Sequence, residues 1–431
     1  MSPRTRELFG LIPASLLVTA GFAAVFVQEQ DVVSTISLTY GAVFLGLCFA
    51  AHLVVRWRLP HADPYVLPLV AVLASFGLVM IYRLDDRFAR DQAQWFVIGL
   101  AAFAATIVLI RDYRALERYR YLIAAGSIGL LLLPRVPGIG AQTNGAYLGV
   151  DLGPVSFQPA EFAKIGIIVF LASYLRDTRQ LLVARKRWGI TIPPLRHLGP
   201  LLAVWGMAMV LLVFIRDLGS SLMFFGAFLA MLYVATDRLI FPLVGVGLFA
   251  AGAAFFAGTV GHVQSRIDAW HHPFDDQLYG AAGGSYQLAQ SLFAQADGGI
   301  VGKGIGQALV GSGDQVIVPA AKTDLIYAII VNELGLIGAL GLLLVYLLLV
   351  QRGFRIAVLA RDSFSKLLAA GLATVVGLQV FVIVGGVTKA IPLTGVTLPF
   401  VSYGGSSIVA NFVIVALLLL VSDRARREAG A

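Results

Sequence analysis

Long apolar segments recur from one end of the chain to the other, and they limit what the chain can fold into. Many of them are about 20 residues long, the length that crosses the hydrocarbon core of a bilayer. Of the 431 residues, 58% are hydrophobic and 13% are charged, whereas soluble domains carry about 25% charged residues. A backbone exposed to lipid must satisfy its own hydrogen bonds, so these segments should be helices. The sequence therefore predicts an all-α polytopic membrane protein.

The predicted transmembrane helices number about twelve. They lie near residues 8–27, 36–55, 65–82, 95–110, 120–134, 162–175, 198–215, 219–235, 239–259, 325–350, 367–387 and 407–421. Arg and Lys test this count, because they collect on the cytoplasmic side of a membrane. With the N-terminus inside, the strongly basic connections all fall inside, from "RWRLPH" at 56–61 to the tail "DRARREAGA". We therefore expect a multi-pass protein with both termini in the cytoplasm.

The same charge pattern explains the net charge of +8, so we expect no nucleic-acid partner. Cys48 is the only cysteine, which excludes a disulfide within the chain and a cysteine metal cluster. The glycine-rich stretch "GGIVGKGIG" at 298–306 lacks the spacing of a phosphate-binding loop and follows no strand. An enzyme of this kind would have to use an energy-rich substrate in place of ATP.

The two longest non-apolar segments, 135–161 and 260–323, then face the outside. The second precedes the tenth predicted helix and is rich in glycine. Within it, "YQLAQSLFAQA" at 286–296 predicts a short amphipathic helix. We interpret the segment as an ordered extracytoplasmic loop on the outer membrane face. The alternative is a mobile linker.

The stretch "AAKTDLIYAIIVNELG" at 320–335 places Asp324 where the tenth predicted helix meets the outer membrane boundary. An ionisable residue beside such a helix is a functional candidate. One interpretation is a helix N-cap formed by Thr323 or Asp324. The other is a carboxylate that takes a proton from a substrate hydroxyl, and both can hold together. The neighbouring Lys322 either holds a phosphate or extends to the interface.

Two further charged groups lie at the outer ends of predicted helices. Glu161 and Lys164 in "FQPAEFAKIG" are three residues apart, on one helix face. They either line a polar cavity or form an ion pair that stabilises the helix end. Arg216 and Asp217 in "FIRDLGSSL" occupy a very short outer turn. They either face the same cavity or belong to a tight turn capped by Ser220.

The segment "TGVTLPFVSYGGSSIVANF" at 394–412 interrupts the helical pattern with proline and glycine just before the last predicted helix. It also brings hydroxyl groups at Ser402, Tyr403 and Ser406. Non-helical backbone at membrane depth occurs where it is buried in protein or lines a cavity. We therefore favour a cavity wall over a simple capped helix start.

These segments, in this order, resemble the SEDS family of shape, elongation, division and sporulation proteins. The matching elements are "QPAEFAK" at 158–164, "RDLGSSL" at 216–222, "GGSYQLAQS" at 283–291 followed by "GKGIGQ" at 302–307, "PAAKTDLIYAIIVNELGLIGA" at 319–339 and "GVTLPFVSYGGSS" at 395–407. The family usually has ten transmembrane helices. The resemblance implies a core at 65–423, two additional N-terminal helices at 1–64, as in actinobacterial members, and a short basic tail at 424–431.

The resemblance implies a peptidoglycan glycosyltransferase of the bacterial cell membrane. It would polymerise lipid II through β-1,4 bonds and release undecaprenyl diphosphate, serving cell elongation and shape. Asp324 falls on the family's proposed catalytic aspartate. Substrate contacts are implied at Gln158, Glu161, Lys164, Arg216, Asp217, Tyr286, Gln287, Lys322, Ser402, Tyr403 and Ser406.

No cofactor is obligatory, although a divalent cation, Mg²⁺ or Mn²⁺, can assist with Glu161 or Asp217 as its ligand. The expected partner is a class B penicillin-binding protein, which supplies the transpeptidase that this chain lacks. Lipid II, the growing glycan-lipid and membrane lipids are the other partners. One departure is Lys322, which stands where family members often have His.

Three other functions stay open. A lipid II flippase would suit twelve transmembrane helices, but the sequence shows no repeated half and no paired broken helices of the transporter kind. A division-type polymerase is the second alternative, and the short C-terminal tail favours elongation over it. A non-catalytic scaffold for a synthase is the third, and it would tolerate the substitution Asp324→Asn.

Overall fold

The computed structural model of the chain is built mainly from long helices. It describes residues 2–30, 35–143, 146–151, 153, 156–183, 217–259, 261–281, 284–308, 310–312 and 315–430, together with scattered positions between 186 and 209. Within these residues, eight helices are long and apolar enough to cross a membrane. The prediction of a polytopic membrane protein made of α-helices is confirmed.

The helices of the described residues share a largely apolar composition where they are long, and short polar helices join them. In chain order they are α1 (Pro3–Gln30), α2 (Thr35–Arg58), α3 (Val66–Leu84), α4 (Asp86–Leu109), α5 (Ala115–Arg118), α6 (Arg120–Leu132), α7 (Pro159–Val183), α8 (Leu218–Thr236), α9 (Ile240–Thr259), α10 (Gly261–His271), α11 (Asp276–Gly280), α12 (Tyr286–Gly298), α13 (Ile326–Leu359), α14 (Ser363–Val387) and α15 (Gly405–Ala429).

Eleven of the twelve predicted transmembrane helices coincide with one of these helices. The sixth, predicted at 162–175, is the middle of the longer helix α7. The seventh, predicted at 198–215, lies almost wholly outside the described residues. The total of twelve therefore stays a prediction, as do the domain limits at residues 64 and 423.

Short antiparallel strands occupy several connections, and the sequence analysis did not predict them. Strands β1 (Gly140–Thr143), β2 (Ala146–Asp151) and β3 (Ser156–Phe157) form one sheet in that order within the connecting segment 135–161. Two small hairpins pair β4 (Lys186–Arg187) with β5 (Ile190–Thr191) and β6 (Gly311–Ser312) with β7 (Gln315–Val316). Strands this short offer too little alternation of polar and apolar residues to be detected.

The described part of the segment 260–323, which was predicted to lie outside, is packed against the transmembrane helices. The amphipathic helix predicted at 286–296 is confirmed as α12, which buries Leu288, Ala289 and Ser291. The Ser291 hydroxyl donates to the carbonyl of Val387, the last residue of α14, at 2.8 Å. This contact supports the interpretation of an ordered loop over that of a mobile linker.

Helix α13 is kinked in its N-terminal third, and the kink has an identifiable cause. Gly335 has φ 67° and ψ −173°, which interrupts the helical hydrogen bonds around it. The glycine-rich stretch at 299–304 supplies replacements. The amides of Lys303 and Gly304 donate to the carbonyls of Asn332 and Glu333, each at 2.9 Å. Every such bond matters here, because an unpaired backbone group at membrane depth is costly.

Beyond the kink the helix supplies the donors and the glycine-rich stretch supplies the acceptors. The amides of Leu336 and Ile337 donate to the carbonyls of Gly299 and Ile300, at 3.0 and 3.2 Å. The glycine-rich stretch, which lacks the spacing of a phosphate-binding loop, thus provides backbone hydrogen-bond partners on both sides of the kink in α13.

We expect Gly335→Ala to destabilise the chain by about 1–3 kcal/mol, because a side chain is strained at this positive φ and its Cβ would meet the carbonyl of Ile300. Thermal unfolding in detergent measures the effect. Gly341→Ala is the matched control, since it lies in the same helix with no heavy atom within 4 Å of the added Cβ. An unfolding temperature lowered equally in both variants would contradict this role of Gly335.

Candidate functional site

Residues 393–404, which we term the crossing segment, connect α14 to α15 and organise the polar end of the molecule. These residues are not helical, although apolar helices flank them on both sides. Gly395 has φ 72°, and a Cβ built on it would lie 3.5 Å from Oδ2 of Asp324. The crossing segment therefore lies directly against the predicted catalytic carboxylate.

Asp324 is positioned through hydrogen bonds to the two residues before it. The carbonyl of Lys322 accepts from the amide of Tyr403 at 2.9 Å. The carbonyl of Thr323 accepts from the hydroxyl of Ser402 at 2.7 Å. Helix α13 begins only at Ile326, and its N-cap residue makes no side-chain capping bond. The N-cap interpretation of Thr323 or Asp324 is therefore wrong. The carboxylate of Asp324 does not cap helix α13 and can accept a proton from a substrate.

The carboxyl group of Asp324 is half-buried, and its surroundings change its acidity. Burial raises the pKa of Asp324 to about 6, while the positive charge of Arg266 and a hydrogen bond from Thr323 act in the opposite direction. Arg266 lies on α10 and donates from Nη1 to the carbonyl of Leu393 at 2.5 Å. Arg266 thus binds the crossing segment through a hydrogen bond and lowers the pKa of Asp324 through its positive charge.

Sequence reasoning missed Arg266. Its only signal is an arginine in a segment predicted to lie outside, where positive charge is less common. A single such residue in a loop of more than sixty residues does not stand out from surface charge.

Glu161 and Lys164 form a buried ion pair on α7, with 5% and 2% of their surface exposed. The Lys164 ammonium lies 2.5 Å from the Glu161 carboxylate and donates to Oε1 of Gln379 at 2.9 Å. The Gln379 amide in turn donates to the carbonyl of Thr397, in the crossing segment, at 2.9 Å. The pair is therefore tied to the same segment as Asp324.

Gln379 is the second residue that sequence reasoning missed. It is fully buried in the middle of α14, and its signal is a lone amide in an otherwise apolar helix. Polar residues at membrane depth are costly and mark functional or structural sites. Here Gln379 has a structural use, because it connects α7 to the crossing segment.

Asp217 caps helix α8. Its Oδ1 accepts from the amide of Ser220 at 2.9 Å, and its Oδ2 accepts from the hydroxyl of Ser220 at 2.6 Å. The cap of this turn is therefore Asp217, and the interpretation of Ser220 as the cap is wrong. Burial raises the pKa of Asp217, the charge of Glu161 raises it further, and Arg266 lowers it. Arg216 lies outside the described residues.

Gln158, Ser406 and Lys322, all predicted substrate-binding residues, are also engaged in contacts within the protein. The backbone N–H of Gln158 donates to the hydroxyl of Ser406 at 2.8 Å, which joins the start of α7 to the start of α15. The Lys322 ammonium pairs with Asp85 at 2.5 Å and lies 4.1 Å from the ring centre of Phe88. These contacts give the Ser406 hydroxyl, the Lys322 ammonium and the Gln158 backbone a structural role. Their substrate contacts stay predictions.

Tyr286 and Gln287 are half-buried on α12. The ring of Tyr286 lies edge-on to Tyr279, with 5.0 Å between ring centres. Among the described residues, no group of three or more His, Cys, Asp and Glu side chains is arranged to hold a metal ion. The substrate contacts of Tyr286 and Gln287 and the divalent cation near Glu161 or Asp217 all stay predictions.

The chain is therefore an integral membrane protein. Its acidic and basic site residues lie together near the ends of transmembrane helices, which places a polar site at a membrane boundary. The family model described as cell cycle protein, for FtsW, RodA and SpoVE, matches residues 63–427. The chain belongs to this family, and the resemblance to the SEDS proteins is confirmed.

Known relatives cover almost the whole chain. The peptidoglycan glycosyltransferase RodA of Mycobacterium tuberculosis strain H37Rv is 40% identical over 437 aligned residues, covering 98% of this chain and 91% of the relative. Stage V sporulation protein E of Bacillus subtilis is 32% identical, covering 84% of this chain and 98% of the relative.

Solved structures share the fold. One, described as the structural coordination of polymerization and crosslinking by a peptidoglycan synthase complex, matches with a TM-score of 0.67 and 28% identity over 85% of this chain and 98% of the other. The rod shape determining protein RodA of Thermus thermophilus matches with a TM-score of 0.59 and 27% identity over 85% and 97% of the two chains.

We expect Glu161→Gln to destabilise the chain by about 3–5 kcal/mol, because it leaves the buried Lys164 ammonium without its counter-charge. The double variant Glu161→Gln with Lys164→Met removes both charges and should recover most of that loss. Unfolding in detergent compares the two variants. A double variant that is no more stable than the single one would contradict a paired role for these residues.

Proposed function

We propose that the chain polymerises lipid II into glycan strands, with Asp324 as the general base. Membership of the family and the 40% identity to a peptidoglycan glycosyltransferase support the reaction class. The observation that carries the proposal for Asp324 is its half-buried carboxylate, with a pKa of about 6, against a non-helical segment at the end of a transmembrane helix. A base works best when its pKa lies near the working pH.

The proposed step is a single displacement. Asp324 takes the proton from the acceptor sugar's 4-hydroxyl as the oxygen attacks the anomeric carbon of the lipid-linked donor. The bond from that carbon to the diphosphate breaks, and undecaprenyl diphosphate leaves with the electron pair. One displacement inverts an α-linked donor into a β-1,4 bond. The energy comes from the sugar–diphosphate bond, so the reaction needs no nucleotide.

The leaving diphosphate needs positive charge near Asp324, and Arg266 is best placed to supply it. Both Asp324 and Asp217 act on the pKa of Arg266, so the guanidinium lies within their electrostatic reach. Guanidinium groups bind phosphate oxygens with two parallel hydrogen bonds. Lys164 and Lys322 are already paired with Glu161 and Asp85. We therefore assign them to hold the site together, and Arg216 is a further candidate for the diphosphate.

The position of Asp324 at a membrane boundary suits the substrate, because donor and acceptor are both anchored in the membrane by lipid. We propose that this boundary is the outer face of the bacterial cell membrane, with both termini in the cytoplasm, as the distribution of Arg and Lys supports. We also propose a class B penicillin-binding protein as the partner and a role in cell elongation. A structural relative described as a peptidoglycan synthase complex supports the choice of partner.

Polymerisation of purified lipid II tests the proposal. We expect Asp324→Asn to lower the rate by about 10²-fold or more, since a general base contributes about 10²–10⁴ in rate. Asp276→Asn is the matched control, because it makes the same change at an exposed position of the same outer segment. Each preparation contains the partner and passes the same fold check.

Glycan strands from Asp324→Asn at the wild-type rate would remove Asp324 as the base. Lipid II transfer across vesicles by the wild type, without any polymer, would favour the flippase. Addition of Mg²⁺ or a chelator to the same assay tests the divalent cation.

The pH dependence of polymerisation should follow the ionisation of Asp324. The base acts when ionised, so with a pKa of about 6 the rate should fall as the pH drops through that value. Arg266→Gln removes the charge that lowers this pKa, so the acid limb should move to higher pH. Arg238→Gln, an exposed position between α8 and α9, should leave the limb unchanged. A limb that stays in place in Arg266→Gln would show that Asp324 does not set the profile.

A further inference from the structure

A polar cavity of about 320 Å³ lies at the opposite end of the molecule from Asp324. Its lining comes from the ends of α2 and α15 and the connection after α4, and the charged members of that lining are Arg58, Arg111, Asp112, Asp423, Arg424 and Arg427. The cavity is far larger than the ~10–15 Å³ that one water needs. It uses no residue of the candidate active site.

The side of the membrane follows from the helix directions. The hydroxyl of Tyr113, in the cavity wall, hydrogen-bonds to Ser365 at the start of α14, at 2.6 Å. Asp324 lies just before the start of α13, and α14 follows the end of α13, so the whole of α13 separates Asp324 from the start of α14. Beyond its kink, α13 runs from Leu336 to Leu359, about 36 Å at 1.5 Å per residue. This exceeds the ~30 Å hydrocarbon core, so the cavity and Asp324 face opposite membrane surfaces.

The cavity lining carries more positive than negative charge. Its four guanidinium groups face two carboxylates. Arg424 also pairs with Glu428, outside the lining, at 2.9 Å, so one positive charge is left in excess. Asp112 is held by Arg424 at 3.4 Å, and Asp423 accepts from the amide of His61 at 2.8 Å. Among the described residues, no carboxylate lies within ion-pair distance of Arg58, Arg111 or Arg427. The cavity therefore suits an anion with several oxygen acceptors.

The surroundings of the cavity point to a lipid as the source of that anion. Trp57, directly before Arg58, is 73% exposed, and Leu109, directly before the lining residue Ile110, is 76% exposed. Large apolar side chains with this exposure at the ends of transmembrane helices face acyl chains, and Trp favours the headgroup level. Basic pockets between transmembrane helices on the cytoplasmic side are typical sites for anionic headgroups.

We propose that this cavity binds the phosphate headgroup of an anionic phospholipid from the membrane surface on the side of the termini. Arg58, Arg111 and Arg427 contact the phosphate oxygens, and the acyl chains lie along the apolar residues beside Trp57 and Leu109. The bound lipid joins the end of α2, in the predicted N-terminal addition, to the end of α15, in the region 63–427 that the family model matches. The two additional N-terminal helices thus acquire a specific use.

Native mass spectrometry of the full chain in neutral detergent tests the proposal. The probes are phosphatidylglycerol, phosphatidylcholine with the same acyl chains, and soluble glycerol phosphate. We expect phosphatidylglycerol to bind saturably and at least 5-fold more tightly than phosphatidylcholine. Arg58→Gln combined with Arg427→Gln should abolish that preference. Arg427→Gln alone should weaken it, which keeps the test decisive if the double variant does not fold.

Arg56→Gln combined with Arg355→Gln is the matched control, because it removes two exposed arginines from α2 and α13 that do not line the cavity. This control should keep the wild-type preference. Equal binding of both phospholipids by the wild type, or an equal loss in the control, would overturn the proposal. Glycerol phosphate that binds as tightly as phosphatidylglycerol would overturn the lipid as the source and assign the cavity to a soluble phosphate compound.

Discussion

The structure depends on the hydrogen bonds that satisfy the backbone of the crossing segment. Non-helical backbone at membrane depth is tolerated only when protein supplies its partners. Here Tyr346 donates to the carbonyl of Pro399 at 2.5 Å, and Gln92 contacts both Ser402 and Gly404, at 3.2 and 3.3 Å. On α14, Gln379 donates to the carbonyl of Thr397 at 2.9 Å. Helices α4, α13 and α14 thus hold one irregular stretch of chain, and that stretch in turn holds Asp324.

The kink at Gly335 follows the same physical rule at a second place. A broken helix exposes carbonyl and amide groups, and the glycine-rich stretch at 299–304 pairs with them on both sides of the break. Beside the break, Glu333 on α13 lies 2.7 Å from Arg83 on α3, which connects these two helices. The segment 260–323 is therefore part of the scaffold around the site, and it also carries Arg266, whose charge lowers the pKa of Asp324.

Apolar length and the placement of Arg and Lys were sufficient to predict most transmembrane helices, because the bilayer imposes both patterns directly on the sequence. The polar groups at helix ends, Glu161, Asp217 and Asp324, could be identified for the same reason, because charge stands out beside an apolar segment. Gln379 and Arg266 were not, because their importance lies in contacts with residues distant in the chain. The short strands were missed since two to six residues carry no readable period.

The most direct test of the central claim is a structure of the Asp324→Asn chain with its partner and lipid II bound as donor and acceptor. The account predicts that the side chain of residue 324 lies about 2.6–3.2 Å from the acceptor's 4-hydroxyl, the reach of a general base. It also predicts that the donor's diphosphate lies on the side of Arg266. A complex in which both sugars bind out of reach of residue 324, with another carboxylate at the hydroxyl, would contradict it.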